Sequence, residues 1–300
     1  MTKRFLGLFP LLLAPSLAFS QSLEPRLYLP LPTGRNVINL SYSHTSGDLV
    51  LDTSLPLTNS HAQLDAGTLA YVRTFGLLGR SAQVQAITTF ATGEASATVA
   101  GQDTTRNLDG PTDPMVRLAV NLVGGPARRL SDLKGVTFGT MVGASLTVTM
   151  PLGSYDTGRR INLGANRWSV KPELGIIQPV GTEWAFEGYF GAWLFGDNDE
   201  YLEKSTVSQD PLWTWQAHAI RIFGRKGWLA LDGTWFRGGT TSIDGVDQNT
   251  FEENARLGAT AAWFVSLKHA IKASFATGVT TRYGGDFDTF SIGYQYGWGS

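Results

Sequence analysis

The chain reads as all-β, a transmembrane antiparallel up-and-down β-barrel of about twelve strands, and three observations predict this. The first is Val136–Met150. There Val136, Phe138, Val142, Ala144, Leu146, Val148 and Met150 share one parity with Thr140 as the only polar member, and small or polar residues occupy the other. Strand side chains alternate between faces, so this segment has one greasy face and one small, wet face. At about 3.3 Å per residue and a tilt near 40°, fifteen residues would rise roughly 38 Å, beyond the ~25 Å apolar band of a membrane barrel. The second observation is that connections alternate between short and long. The third is an export-type start on a chain with no later apolar run of eighteen residues, and hence no helix able to span a membrane.

Taken in order, Lys3 and Arg4 precede an apolar run to Leu17, and Ala18-Phe19-Ser20 supplies small residues for cleavage. Residues 1–20 are therefore expected to be a signal peptide. Residues 21–34 carry Pro25, Pro30 and Pro32, which argue against a ladder strand. This segment suits a linker at the periplasmic mouth, the plainer reading, or a plug folded into the lumen. Residues 35–300 form the barrel. Its strands are expected near 35–44, 64–75, 81–91, 114–123, 136–150, 166–178, 184–195, 210–222, 228–237, 254–265, 270–281 and 288–298. Short turns fall at 76–80, 179–183, 223–227 and 266–269, with a longer link at 124–135 where residues 131–134 can form one helical turn. Long polar loops fall at 45–63, 92–113, 152–165, 196–209 and 238–253. Short periplasmic turns opposite long external loops are the mark of a membrane meander, with both termini periplasmic. Pro172 predicts a local bulge, and Arg73 makes the second strand the poorest fit because it shares parity with Leu69, Tyr71 and Phe75. Eight of the nine Trp (Trp168, Trp184, Trp213, Trp215, Trp228, Trp235, Trp263 and Trp298) lie near strand ends, as an interfacial girdle requires.

Composition narrows the function classes. Without Lys3 and Arg4 the 24 basic residues fall to 22 against 25 acidic, a charge of −3. That balance argues against a nucleic-acid partner. The absence of cysteine excludes disulfides, thiol catalysis and zinc–thiolate sites.

Several segments carry a family resemblance. They include Tyr71-Val72-Arg73-Thr74-Phe75, Gly79-Arg80-Ser81-Ala82, Asp113-Pro114, Gly125-Pro126-Ala127 and Gly153-Ser154-Tyr155-Asp156. Others are Asn162 to Trp168 (the most specific part), Lys171-Pro172-Glu173, Gln209-Asp210-Pro211-Leu212 and Arg256 to Thr260. In these the chain resembles the outer-membrane transporter family of the meta-pathway of phenol degradation. The resemblance implies transport of a small hydrophobic or aromatic solute. It departs at the end, where Gly299 and Ser300 follow Trp298 instead of a closing aromatic residue.

Parity assigns ten residues to the lumen: Arg117, Arg167, Lys171, Glu173, Glu187, His218, Asp232, Arg256, Lys272 and Arg282. They can line a solute path, or pair with one another to fill a narrow interior. Glu173 is expected to pair with a base on an adjacent strand, leaving Lys171 or Arg167 to an acid such as Glu187. The expected function is passive passage of a solute through this charged lumen, with no cofactor, metal or catalytic residue. The expected partners are outer-membrane lipid, the solute and the barrel-assembly machinery. The alternatives are a non-transporting structural or adhesive barrel and, less favoured, a lipid hydrolase, for which no outward serine pairs with His218. His44 and His61 lie near Asp48, Asp52 and Asp65, an arrangement common by chance in loops. Residues 197–200 and 244–247 read as solvated acidic loops that lack a calcium-binding loop's closing glutamate.

Overall fold

The computed structural model describes residues 23–50, 57–99, 101–133 and 138–299. The strands run β1 (Arg35–Val50), β2 (Leu57–Leu77), β3 (Arg80–Val99), β4 (Gln102–Pro111), β5 (Met115–Val123) and β6 (Met141–Thr149). They continue with β7 (Ser169–Val180), β8 (Trp184–Phe195), β9 (Asn198–Tyr201), β10 (Ser205–Gln209), β11 (Leu212–Ile222) and β12 (Gly227–Gly238). The last are β13 (Thr241–Ile243), β14 (Val246–Asp247), β15 (Glu252–Phe264), β16 (His269–Thr280) and β17 (Gly284–Gly299).

Thirteen of these form one antiparallel sheet, closed by β1 on β17 and by β2 on β3. β3 pairs with β5 over Ala82–Ile87 and with β4 over Phe90–Val99. β4 and β5 therefore share one place in the ring, and the barrel has twelve positions. Closure gives every ring strand a partner on both sides, which is what a bilayer demands of a β structure, while β4 pairs with β3 alone. Leu40, Leu69, Leu146, Leu174, Phe186, Leu231, Phe275 and Ile292 stand exposed on the outside. The alternate positions point inward and are mostly small or polar, with an apolar minority that includes Leu64, Ile177, Ile220 and Phe236.

Three sequence expectations need correction. The strand expected over 136–150 is nine residues, Met141–Thr149, so its length does not exceed the membrane thickness. Residues 134–137 lie outside the described residues, as does the signal segment. The connections 92–113, 196–209 and 238–253 are not plain loops but contain β4, β9–β10 and β13–β14. β9, β10, β13 and β14 make a separate four-stranded sheet at the long-loop end. Alternation identifies strands that face lipid and lumen, whereas these strands face solvent or one another, so their pattern is silent. Trp228 is buried in the interior beside Ile220, Ala230 and Ala262 and is no part of the girdle.

Local chemistry explains the remaining details. The β2–β3 turn is Leu78-Gly79, both left-handed at φ 49° and 77°. That is the two-residue turn whose twist matches a hairpin, with glycine carrying no steric cost at the second place. At Pro172 no residue is inserted: β7 stays in register on β8 from Val170↔Leu194 to Glu173↔Gly191, with the ladder interrupted between. A missing donor breaks bonds without demanding an extra residue, so a gap replaces the expected bulge. Arg73 does face outward, and its Nη1 donates to Asn36 Oδ1 at 2.9 Å and Gly34 O at 3.2 Å near the short-turn rim. A long basic side chain at an interface keeps its charge in the polar layer.

Candidate functional site in the barrel interior

Inward-facing charges collect on one wall, β5 to β12. Arg117 lies on β5, Lys171 and Glu173 on β7, Glu187 on β8, His218 on β11 and Asp232 on β12, all buried. The opposite wall, β16–β17–β1–β2–β3, presents Ser41, Ser43, Thr68, Ser274, Thr289 and Ser291.

Residues 23–33 run inside the barrel along the charged wall. Glu24 Oε2 meets Arg117 Nη2 at 2.8 Å, and Arg26 meets Glu187 at 3.9 Å. The Arg26 N–H also donates to Glu187 Oε2 at 2.8 Å. Tyr28 bonds Glu173 Oε1 at 3.0 Å and Ser145 Oγ at 2.9 Å, and its ring packs edge-on against Tyr189. Backbone carbonyls find donors too, because Gln83 reaches Leu27 O and Asn121 reaches Tyr28 O. Towards the short-turn rim, Ser81 donates to Leu31 O and Thr74 to Pro32 O. Three prolines leave the segment fewer donors to satisfy, and the wall satisfies its acceptors.

Tyr28 occupies a slot made by two glycines. Gly143 and Gly175 are register partners on β6 and β7, and a Cβ at either would collide with the Tyr28 ring. A Gly143→Leu variant is expected to expel Tyr28 while keeping the barrel folded, because the three atoms nearest an added Cβ at Gly143 all belong to the Tyr28 side chain. Single-channel recording in planar bilayers checks this, and an unchanged current would refute the slot's role.

Lys171 Nζ meets Glu173 Oε2 at 2.5 Å, so the expected cross-strand partner is replaced by a neighbour on the same strand. Glu187 takes Arg26 and the Tyr189 hydroxyl, not Lys171 or Arg167. The reason is that residues 23–33 bring their own charges into the lumen, which strand register cannot anticipate. His218 Nδ1 meets Asp232 Oδ1 at 2.7 Å, and Thr260 donates to Asp232 Oδ2 at 2.6 Å. Arg256 donates to Phe287 O, and Lys272 stands on β16 within the hydroxyl-rich wall. Arg167 and Arg282 lie outside the barrel strands. Arg167 precedes β7, bonds Gln209 and stacks on Phe195 at 4.7 Å, and burial lowers its pKa to about 10. Arg282 sits in the β16–β17 turn with a half-exposed side chain. Strand parity does not extend past a strand's end, so it does not place either residue in the lumen.

Between residues 23–24 and the hydroxyl-rich wall lies a cavity of about 290 Å³. Leu163, from the β6–β7 connection, packs on Leu64, Ala91 and Leu108 and borders the cavity at the long-loop end. Lys272 and Arg256 give it two basic groups. No cluster of three metal-ligating side chains occurs among the described residues. The anchors Glu24, Arg26 and Tyr28 escape single-strand reading. Their only signal is that an otherwise proline-rich, apolar segment keeps two charges and a tyrosine.

The fold is similar to an outer-membrane channel of Pseudomonas putida F1, with a TM-score of 0.76 and 20% identity over 92% of this chain and 100% of that one. It is also similar to the transport unit of the Escherichia coli autotransporter AIDA-I, at TM-score 0.56 and 9% identity over 93% of each chain. The β domain of the Bordetella autotransporter BrkA gives 0.53 and 13% identity over 88% of this chain and 100% of that one. No curated protein sequence matches the chain significantly. A family model matches residues 44–294, most of the barrel, and on that match the chain belongs to the family described as "Putative MetA-pathway of phenol degradation".

Proposed function

We propose that this protein is an outer-membrane channel that passes a small, hydrophobic or aromatic solute passively through its lumen. The observation that carries the reading is the cavity of about 290 Å³ between residues 23–24 and the hydroxyl-rich wall. It approaches the lower end of small-ligand sites, roughly 300 Å³. Serine and threonine hydroxyls beside Leu64, Ile87 and Phe287 suit a ring that carries one polar group. Arg256 and Lys272 bias the path towards solutes with a negative or electron-rich end. The family description supports an aromatic solute, and the channel from Pseudomonas putida F1 supports passage through such a barrel.

In this reading residues 1–20 export the chain, residues 23–33 act as a plug, and the assembly machinery inserts the barrel in the outer membrane. Fractionation is expected to place the mature chain in the outer membrane as a heat-modifiable band, and recovery as a soluble periplasmic protein would refute that. Reconstitution tests transport: vesicles containing the protein are expected to take up benzoate faster than protein-free vesicles, and a Lys272→Met, Arg256→Met variant more slowly than wild type. Equal rates with and without protein would favour the structural or adhesive alternative, for which the external sheet of β9, β10, β13 and β14 offers a surface.

A further inference from the structure

We propose that the outward face of β1 and β2 carries a hydrolytic site for fatty-acyl esters of the surrounding lipid, with Ser46 as nucleophile, His61 as base and Asp48 orienting His61. The inference rests on the membrane orientation proposed above, in which the long-loop end is external.

Ser46 Oγ lies 3.2 Å from His61 Nε2, and His61 Nδ1 lies 3.0 Å from Asp48 Oδ1. The contacts use opposite ring nitrogens. One tautomer therefore satisfies both, with Nδ1–H donating to the carboxylate and Nε2 accepting from the hydroxyl. Nucleophile, base and orienting acid in series are the arrangement that acyl transfer needs. Strand register builds it: Asp48 is directly opposite His61, and Ser46 is directly opposite Gln63. Residues 46 and 48 share the outer face of β1, as 61 and 63 share that of β2. A cross-strand Asp–His pair alone would account for Asp48 and His61 as a structural contact. It gives no reason for a hydroxyl on the second ring nitrogen.

Gln63 supplies what a triad still lacks. Its amide makes no hydrogen bond to other described residues, and its Cβ faces that of Ser46 at the ~5 Å spacing of opposed strand residues. It is placed to donate to the oxyanion that forms when Ser46 attacks.

Height on the barrel identifies the substrate. His44 is opposite Phe290, which is opposite Phe275, so the outward aromatic belt reaches the rung of His44 on this wall. Ser46 stands two residues further towards the long-loop end, about 5 Å higher along the membrane normal at the usual rise and tilt. The side chains of His61 and Asp48 remain 46% and 79% exposed, open to a lipid arriving from the membrane side. Asp286 and Asp288 flank the site, opposite Asp48 and Ser46. They disfavour an anionic headgroup, so the substrate class is a neutral or zwitterionic acyl ester.

Ser46 Oγ attacks the ester carbonyl carbon while its proton passes to His61 Nε2. The carbonyl oxygen becomes an oxyanion facing Gln63. Collapse breaks the bond to the alcohol, which leaves with the proton from His61. Water then attacks the acyl-serine with His61 as base, releasing the fatty acid and restoring Ser46.

The test uses the full mature chain in mixed micelles of non-ionic detergent and phosphatidylcholine, with fatty-acid release measured. Wild type is expected to release fatty acid and to be labelled on Ser46 by an alkyl fluorophosphonate. Ser46→Ala and His61→Ala are expected to lose on the order of 10³-fold or more in rate. Gln63→Ala should lose about 10²-fold. Heat-modifiable mobility is recorded for each variant, so misfolding is recognised. Benzoate flux is measured on the same preparations, so failure of the channel reading is seen separately. No release by wild type, or equal release by wild type and Ser46→Ala, would overturn the proposal.

Discussion

Deleting residues 23–33 is expected to turn an occluded barrel into a steadily conducting one, the largest functional change any single alteration should produce. In the intact chain this segment spans the interior from Glu24, at the cavity, to Thr33, whose N–H reaches Arg128 O. It fills the half of the lumen beside the charged wall with Leu27, Tyr28 and Leu29, which pack into the interior cluster. No barrel strand depends on it for a ladder partner, so the closed sheet survives its removal. The wall would then present Arg117, Glu173 and Glu187 to water in place of Glu24, Tyr28 and Arg26. Partial versions should give graded results. Losing one charge-assisted hydrogen bond costs about 1.5–3 kcal/mol, so Glu24→Gln should shift the docked–undocked balance by about 10- to 150-fold. Planar-bilayer recordings distinguish these cases. A deletion variant with the same small current as wild type would mean that residues 23–33 do not control the path.

Removing the Glu173 carboxylate is expected to be the most damaging single substitution for stability. Glu173 is 6% exposed and Lys171 is 7% exposed, and the two form the closest ion pair of the lumen. Glu173 also accepts from the Tyr28 hydroxyl. Glu173→Ala would remove the one carboxylate in direct contact with the buried Lys171 ammonium, leaving the Trp193 ring 5.8 Å away and the more distant Glu24 carboxylate. An unpaired buried charge costs about 3–5 kcal/mol, far more than the pair itself contributes. A lower urea midpoint for the heat-modifiable band measures this. The double variant Lys171→Met, Glu173→Ala should recover much of the loss, because it removes the charge as well as its partner. If the single variant is as stable as wild type, the lumen around Lys171 is wet enough to solvate it.

Several features of the barrel are legible in the amino-acid order because they depend only on neighbours along the chain. Lipid on one side and lumen on the other impose a period of two, so β8 at 184–195 is read to the residue and β11, β12, β15 and β16 to within two. Glycines announce three of the short turns, at 76–80, 179–183 and 223–227. Parity alone places Arg117, Lys171, Glu173, Glu187, His218 and Asp232 inside, since a charged side chain facing hydrocarbon is too costly to keep. What parity cannot supply is a partner. Whether Glu173 meets Lys171 or a base across the strand depends on what else enters the lumen, and that is Tyr28, 145 residues away. The slot between Gly143 and Gly175 exists only once β6 and β7 lie in register. Ser46 and His61 join only because β1 and β2 pair with Asp48 opposite His61. The chain's own order thus determined the strands, their faces and the barrel. The tertiary structure alone decided which polar groups meet, because hydrogen bonds and ion pairs act over a few ångströms between segments that the sequence holds far apart.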